Sequence, residues 1–182
     1  MKMKDRSSTL IAQYIKSSLK PTKLTKKEIE NYFHNLGFDI NECAYCGEKN
    51  ANTLDHVFGV VKNSVFSGYD NDITNLIPCC QRCNSSKGNK TIEEWLDGTN
   101  GFKITKRAQE IKTDPNYKNR REKLNKYIKN IQPSIDGEVL NKMNKRAKVY
   151  KQYIDKVLDE MDKKLEEDKD YYKRLLGEKG EY

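Results

Sequence analysis

The 182-residue sequence contains no apolar run near the roughly 20 residues that a membrane-spanning helix needs. Only 35% of the residues are hydrophobic and 34% are charged, which is typical of a soluble protein. The basic N-terminus has neither a long apolar core nor a small-residue cleavage site, so no signal peptide is indicated. We therefore expect a cytoplasmic protein without membrane contact, whose five cysteines stay reduced and favour zinc over disulfides.

Histidine is also scarce, because the sequence contains only His34 and His56. His34 lies on a predicted amphipathic helix without other metal ligands at a suitable spacing, so we interpret it as a surface or packing residue. His56 follows Asp55 inside a cysteine-rich segment, which makes it the stronger candidate for chemistry.

The cysteine-rich segment, residues 43–90, contains two Cys-x-x-Cys pairs, Cys43/Cys46 and Cys80/Cys83. Four thiolates at this spacing suit a closed tetrahedral Zn²⁺ site. The fifth cysteine, Cys79, could replace Cys80 as a ligand. We prefer Cys80 because only Cys80/Cys83 repeats the two-residue spacing, and we expect Cys79 to be a small buried hydrophobic residue.

A second set of polar residues, Asp55-His56, Asn75 and Asn84, lies between and just after the cysteines. Their oxygen atoms are the ligand type that Mg²⁺, Mn²⁺ and Ca²⁺ prefer. A purely structural zinc module would not require these residues.

The strings LDHV, NLIPCCQRCN and SSKG, in this order, resemble the HNH endonuclease motif in its zinc-stapled form. The resemblance covers about fifty residues. Asp55-His56 matches the first His block, Asn75 the central Asn, and Asn84 the last position, which is His or Asn in the family. The resemblance implies a metal-dependent DNA endonuclease. A restriction or defence enzyme, a phage nuclease and a mobile-element nuclease all stay open, and the small size of the chain favours the first.

The resemblance and the residue types together predict a role for each residue. His56 is expected to be the general base that activates water, because a neutral imidazole accepts a proton near physiological pH. Asp55 and Asn84 are expected to hold one Mg²⁺ or Mn²⁺ ion. The resemblance implies that Asn75 fixes the loop and the imidazole, and Lys87 is a candidate for phosphate contact.

The predicted fold is α+β, with a small ββα-metal core at residues 40–98. Strands are expected at 53–58 and 75–77, with a flexible loop at 59–74 between them, and a helix from Cys80 onward. Such a unit is too small to bury a sufficient core, so it should depend on zinc for its stability.

Mostly helical segments, residues 1–39 and 99–182, are expected on either side of this core. In the first, one helix should run from Ser7 or Ser8 to about Leu19, before Pro21, and another should begin at Thr25. Capping boxes, which mark helix starts, are predicted at Thr25 and Glu28 and at Thr91 and Glu94, with Trp95 packing back on the metal unit.

The C-terminal segment is predicted to contain helices within 103–130, interrupted near Asp114-Pro115, and a long helix at about 138–177. Apolar residues in the long helix alternate steps of four and three, which is the pattern of a helix seam. They are Met143, Ala147, Tyr150, Ile154, Val157 and Met161. Packing against other helices is one interpretation, and a homodimer through this C-terminal helix is the other.

The net charge of +8 lies outside the neutral motif block. Residues 101–130 hold ten basic and three acidic residues, which suggests a surface for the DNA backbone. A solvated lysine-rich helix face is the alternative interpretation. The candidate nucleic-acid contacts are Lys87, Lys106, Arg107, Arg120 and Arg121.

Two other functions stay open at this point. The chain could be a non-catalytic, zinc-stabilised nucleic-acid-binding protein in which Asp55 and His56 are structural. It could also be an interaction protein built on the long helix. The substitution His56→Ala separates the enzyme from the binding protein, because only an enzyme loses cleavage while it keeps binding.

Overall fold

The computed structural model describes residues 6–17, 19, 23–49 and 51–175, which form seven α-helices and four short strands. None of the described helices is long and apolar enough to cross a membrane. Pro21 and residues 176–177, where helix ends are predicted, lie outside the described ranges. The helices are α1 (Ser7–Ser17), α2 (Lys26–Asn35), α3 (Gln81–Lys87), α4 (Ile92–Leu96), α5 (Lys106–Lys112), α6 (Tyr117–Lys129) and α7 (Gly137–Leu175), and the strands are β1 (Thr53–His56), β2 (Val61–Lys62), β3 (Val65–Phe66) and β4 (Leu76–Cys79).

The predicted α+β unit is confirmed in strands β1 and β4 and helix α3. β1 pairs antiparallel with β4, so that His56 lies opposite Leu76 and Thr53 opposite Cys79. α3 begins directly after β4 and packs on β1. β4 continues through Pro78, which the sequence suggested would end or edge the strand. A two-stranded sheet tolerates this proline because its missing N–H can face away from the partner strand.

The loop predicted at residues 59–74 contains a β-hairpin instead, so that prediction was wrong. β2 pairs with β3 in the register Val61 to Phe66. Asn63 and Ser64 between them both have positive φ, at 53° and 62°. Two successive left-handed residues match the twist of a tight hairpin. This turn brings Val61 opposite Phe66, so that the apolar residues on either side of it pair across the hairpin.

The main core surrounds the paired strands and draws on all three predicted segments of the chain. α2 contributes Phe33, α4 contributes Trp95, and α6 contributes Leu124 and Tyr127. The Tyr127 hydroxyl donates to the Leu76 carbonyl at 2.7 Å, which fastens α6 to β4. The basic helices α5 and α6 are therefore part of the core that supports the strands.

A second core joins α1, the hairpin and α7. Its centre is formed by six buried residues, which are Ile11, Ile15, Val60, Val61, Phe66 and Ala147. Asn144 on α7 also clamps β3, because its side chain accepts from Phe66 N at 2.6 Å and donates to Phe66 O at 3.2 Å. The hairpin thus extends from the main core and is held by the two terminal helices.

Both predicted capping boxes are confirmed. The Thr25 side chain accepts from Glu28 N, and the Glu28 carboxylate accepts from Thr25 N at 2.7 Å. Thr91 and Glu94 make the same reciprocal contacts at the start of α4. Trp95, one residue later, is fully buried in the main core as expected.

The long C-terminal helix α7 divides the predicted seam between two faces. Met143, Ala147 and Ile154 pack in or against the second core. Tyr150, Val157 and Met161 are 42–46% exposed. Three of the six predicted seam residues therefore pack in or against the second core.

Candidate nuclease site

The first feature of the site is a cluster of four sulfur atoms from Cys43, Cys46, Cys80 and Cys83. The atoms all lie within 4.8 Å of one another, and Cys46 Sγ and Cys80 Sγ are 3.8 Å apart. A tetrahedral zinc ion with Zn–S bonds of about 2.3 Å separates its sulfurs by about 3.8 Å. The cluster therefore fits the predicted zinc site. It joins the turn before β1 to the junction of β4 and α3.

Cys79 takes no part in this cluster, as the sequence predicted. It is fully buried, and its Sγ lies 3.1 Å from Thr53 Oγ1. Burial raises the pKa of the Cys79 thiol to about 12. Its sulfur is not among the four that lie within 4.8 Å of one another, which agrees with Cys80 as the fourth candidate ligand.

Arg107, one of the predicted DNA contacts, lies against the sulfur cluster. Its Nε lies 3.4 Å from Cys83 Sγ, and its guanidinium also pairs with Glu48 at 3.0 Å and Glu110 at 3.2 Å. Only 13% of its side chain is exposed. A zinc ion with four thiolates carries a net charge of −2, so a cation here stabilises the loaded cluster.

Asp55 is held rigidly in the main core. Its Oδ2 accepts a hydrogen bond from the Tyr45 hydroxyl at 2.7 Å and forms an ion pair with Lys87 Nζ at 2.9 Å. Tyr45 lies inside the first Cys-x-x-Cys turn, and its ring packs edge-on against Trp95. Tyr45 thus links the Asp55 carboxylate to the sulfur cluster, and Lys87 links it to α3.

Lys87 is fully buried, so the structure does not support the predicted phosphate contact. Its ammonium reaches the His56 carbonyl at 2.7 Å as well as the Asp55 carboxylate. A buried charge persists only when it is paired and hydrogen-bonded, and both conditions are met here. Lys87 acts as an internal cation that fixes the end of β1.

His56 is half-buried at the end of β1, where Nε2 lies 2.9 Å from Asn71 Oδ1. Because an amide oxygen can only accept, Nε2 carries the proton and Nδ1 holds the lone pair in the neutral ring. Burial lowers the pKa of His56, the Asn71 hydrogen bond and Asp55 oppose this, and the charges of Lys16 and Lys87 lower it further. The imidazole is therefore neutral at physiological pH.

Asn75 holds the loop around the imidazole but does not contact the ring. Its side chain accepts from Phe58 N at 2.9 Å and donates to Phe58 O at 2.9 Å and to Asp70 O at 3.2 Å. Asp70 precedes Asn71, the residue that contacts His56. The sequence suggested the loop-fixing role of Asn75 but missed Asn71, which carries no signal beyond its place in a polar turn.

Asn84 lies on α3 above β1, close to the first strand as expected. Its Nδ2 donates to Thr53 Oγ1 at 3.3 Å. Thr53 and Asp55 project from the same face of β1, because alternate residues of a strand share a face. Asn84 and Asp55 therefore face the same side of the strand from neighbouring elements.

Of the remaining predicted DNA contacts, Arg120 and Arg121 form ion pairs within the protein and Lys106 is exposed. Arg120 pairs with Asp114 at 3.0 Å, and Arg121 pairs with Asp97 at 2.7 Å, each with 15% of its side chain exposed. Both arginines thus support the junction between helices, and their contact with DNA stays a prediction. Lys106 alone among the five candidates is exposed.

Comparisons with known proteins agree with this geometry. Residues 43–90 match the family model for the HNH endonuclease domain. The SPbeta prophage-derived protein YoqL of Bacillus subtilis (strain 168), which is named for the HNH endonucleases, is 32% identical over 100 residues. That match covers 50% of this chain and 40% of YoqL, so the chain spans about two fifths of that relative. No solved structure matches.

The family match covers the sulfur cluster, Asp55-His56, Asn75 and Asn84. In the structure these residues lie on β1 and α3 and in the turns that precede β1, β4 and α3. Residues 43–90 of this chain are therefore similar to an HNH endonuclease domain in both sequence and local fold.

Proposed function

We propose that the chain is a metal-dependent DNA endonuclease in which the Asp55-His56 pair at the end of β1 performs the chemistry. The observation that supports this most strongly is the imidazole of His56. It is neutral, its Nε2 is fixed by Asn71, and Nδ1 is the ring atom left to accept a proton. This arrangement suits a general base.

In the proposed reaction, His56 Nδ1 takes a proton from a water molecule while the water oxygen bonds to phosphorus. The bond between phosphorus and the leaving sugar oxygen breaks, and that oxygen receives a proton from solvent. Asn71 keeps the ring oriented, and Asn75 keeps Asn71 in place through Asp70. Each of these contacts removes rotational freedom from the base before the substrate arrives.

Asp55 and Asn84 are the residues that would hold the divalent cation, Mg²⁺ or Mn²⁺. Carboxylate and amide oxygens match the preference of both ions, so the donor chemistry fits. The described contacts engage Asp55 through Oδ2 and Asn84 through Nδ2, which leaves Asp55 Oδ1 and Asn84 Oδ1 as the candidate ligand atoms. When bound, such an ion stabilises negative charge on the phosphate and the leaving oxygen.

The sulfur cluster would hold a structural Zn²⁺ ion, with Arg107 balancing its charge. Four thiolates leave no open coordination position, so this ion supports the fold and does not act on the substrate. Its link to the chemistry is Tyr45, which connects the first cysteine turn to Asp55.

DNA contact is assigned to exposed lysines, because the predicted arginines are paired internally. Lys106 is exposed on α5. Lys16 is exposed on α1, and its positive charge acts to lower the pKa of His56. A phosphate that reaches His56 would therefore meet a positive charge from the N-terminal helix.

The test is cleavage of supercoiled plasmid by the zinc-loaded chain with Mg²⁺ or Mn²⁺, beside His56→Ala and His34→Ala. His34 is the matched control because it is the other histidine and lies exposed on α2. We expect nicked or linear plasmid from the wild type and His34→Ala, and at least a hundredfold slower reaction from His56→Ala. Equal cleavage by all three proteins would rule out His56 as the base.

A non-catalytic nucleic-acid-binding protein is the second candidate, and the Lys87–Asp55 ion pair is the observation that favours it. This pair satisfies the carboxylate within the protein, as a structural aspartate requires. The binding hypothesis predicts salt-dependent DNA affinity with no metal-dependent cleavage by the wild type.

The biological setting that we propose is a cytoplasmic restriction or defence nuclease. The prophage origin of YoqL adds a phage-borne nuclease as the competing setting. Phage plating on cells that express the wild type or His56→Ala separates them, because only a defence enzyme lowers plating efficiency in a His56-dependent way.

A further inference from the structure

Three seam residues of α7, Tyr150, Val157 and Met161, form an exposed stripe together with Tyr153. Tyr150, Tyr153, Val157 and Met161 are 46%, 71%, 42% and 43% exposed. Residues three and four apart lie on one face of a helix, so these side chains form a continuous apolar surface. The ring of Tyr14 on α1 packs against Tyr150 at one end of it, with ring centroids 4.7 Å apart.

Charged residues extend the stripe at both ends in a self-complementary order. Arg146 lies eleven residues before Val157, and Asp168 lies eleven residues after it. Tyr150 and Lys164 lie seven residues to either side. Offsets of four, seven and eleven residues keep all of these side chains on the same face of the helix.

This order has a direct consequence for pairing two copies of the helix. In an antiparallel pair with its two-fold axis at Val157, Arg146 of one copy meets Asp168 of the other. Tyr150 then meets Lys164, which places an ammonium over an aromatic ring, and Tyr153 meets Met161. In a parallel pair, Arg146, Lys164 and Asp168 would each meet a like charge.

The charge of the whole helix favours the same orientation. Residues 142–156 contain six basic residues and one acidic residue, whereas residues 159–170 contain seven acidic and three basic. Antiparallel pairing brings the basic half of each helix against the acidic half of its partner. Long-range attraction and local contacts therefore select one arrangement.

We propose that a second copy of this chain docks antiparallel on the stripe formed by Arg146, Tyr150, Tyr153, Val157, Met161 and Asp168. The dimer carries two HNH domains, one at each end of a two-helix pair. This proposal does not depend on the nuclease activity, because it rests on the surface of α7 alone.

The first test is sedimentation equilibrium of the full, zinc-loaded chain, with Val157→Glu and Val149→Glu as a matched pair. Val149 is 64% exposed on the same helix but lies off the stripe. Val157→Glu places two carboxylates at the two-fold axis, so we expect at least a hundredfold weaker dimerisation. Val149→Glu should dimerise like the wild type. A monomeric wild type at about 100 μM, or equal effects of the two substitutions, would overturn the proposal.

The second test fixes the orientation by charge reversal. Arg146→Glu should weaken the dimer about tenfold, since two Glu–Asp contacts replace two ion pairs, and adding Asp168→Arg should restore it. In a parallel dimer the second substitution restores nothing. Circular dichroism of each variant checks that α7 is intact.

A cross-link locates the axis. Val157→Cys should form a disulfide-linked dimer under mild oxidation, because the two thiols meet at the axis, whereas Tyr150→Cys should not. Cross-linking of Tyr150→Cys alone would contradict the antiparallel arrangement.

Discussion

The two cores of this chain are stabilised in different ways. The main core is built from short strands and helices, and its fixed points are polar: the sulfur cluster with Arg107, and Asp55 with Tyr45 and Lys87. The second core is apolar, and its principal polar contact among the described residues is the Asn144 clamp on β3. Catalytic geometry needs fixed side-chain positions, which buried polar contacts provide better than apolar packing alone.

The largest effect that separates the two cores is expected from the zinc ligands. Cys80→Ser should abolish zinc binding and the cooperative unfolding of the main core, because a unit of this size depends on its metal. Cys79→Ser, one residue away, should keep one zinc ion and cost only about 1 kcal/mol. Metal analysis measures the zinc content of the two variants, and thermal unfolding measures their stability. Zinc retained by Cys80→Ser and lost by Cys79→Ser would reverse the ligand assignment.

The buried ion pair should give the next largest effect. Lys87→Met leaves the Asp55 carboxylate buried without its cation, which typically costs about 3–5 kcal/mol of unfolding free energy. Lys90→Met is the control, because Lys90 is only half-buried and makes two long contacts to carbonyls, at 3.5 and 3.4 Å. Denaturant unfolding compares the two. Similar losses would show that Lys87 is not specifically paired.

Substitution of Asn144 should affect the second core alone. Asn144→Ala removes both hydrogen bonds to Phe66, so we expect a loss of about 1–2 kcal/mol. Hydrogen exchange should accelerate in β2, β3 and α1 while zinc content and exchange in β4 stay unchanged. Asn141→Ala, an exposed neighbour on α7, should change neither. Equal acceleration in β4 would show that the two cores unfold as one unit.

The smallest effect concerns the pH dependence of His56. Its pKa is lowered in the folded protein, so the unfolded chain binds the proton more readily as pH falls below about 6.5. Stability from this group is therefore present above that pH and is lost as pH falls through the folded pKa. The cleavage rate should increase as pH rises through the same range, because His56 loses its proton and can act as the base. Unfolding and rate profiles of wild type and His56→Ala test this, and a stability difference that does not change with pH would contradict it.

The sequence predicted those parts of the site that depend on local spacing. The Cys-x-x-Cys pairs identified the four clustered cysteines and separated Cys80 from Cys79, and Thr91 and Glu94 marked the start of α4. The hairpin was missed because Gly59, Gly68 and the polar turn residues suggested a loop. The valines around Asn63-Ser64 were the signal that could have identified it.

The internal pairing of the predicted DNA contacts involves partners that are distant in sequence. Lys87 follows two serines and precedes glycine, a context in which lysine is usually exposed, and its partner Asp55 lies 32 residues earlier. Arg107, Arg120 and Arg121 belong to a basic segment, but each meets an acidic group or a sulfur supplied by another element. Pairing of this kind depends on tertiary packing, which charge counts along the chain do not contain.

The central claim is that the sulfur cluster and the proposed catalytic pair, Asp55-His56, form one unit joined by Tyr45. The most direct measurement is the single-turnover rate of plasmid cleavage by Tyr45→Phe at equal zinc content and equal Mn²⁺. Loss of a hydrogen bond to a buried carboxylate should slow cleavage about tenfold or more while one zinc ion stays bound. A folded, zinc-loaded Tyr45→Phe that cleaves at the full rate would contradict the claim.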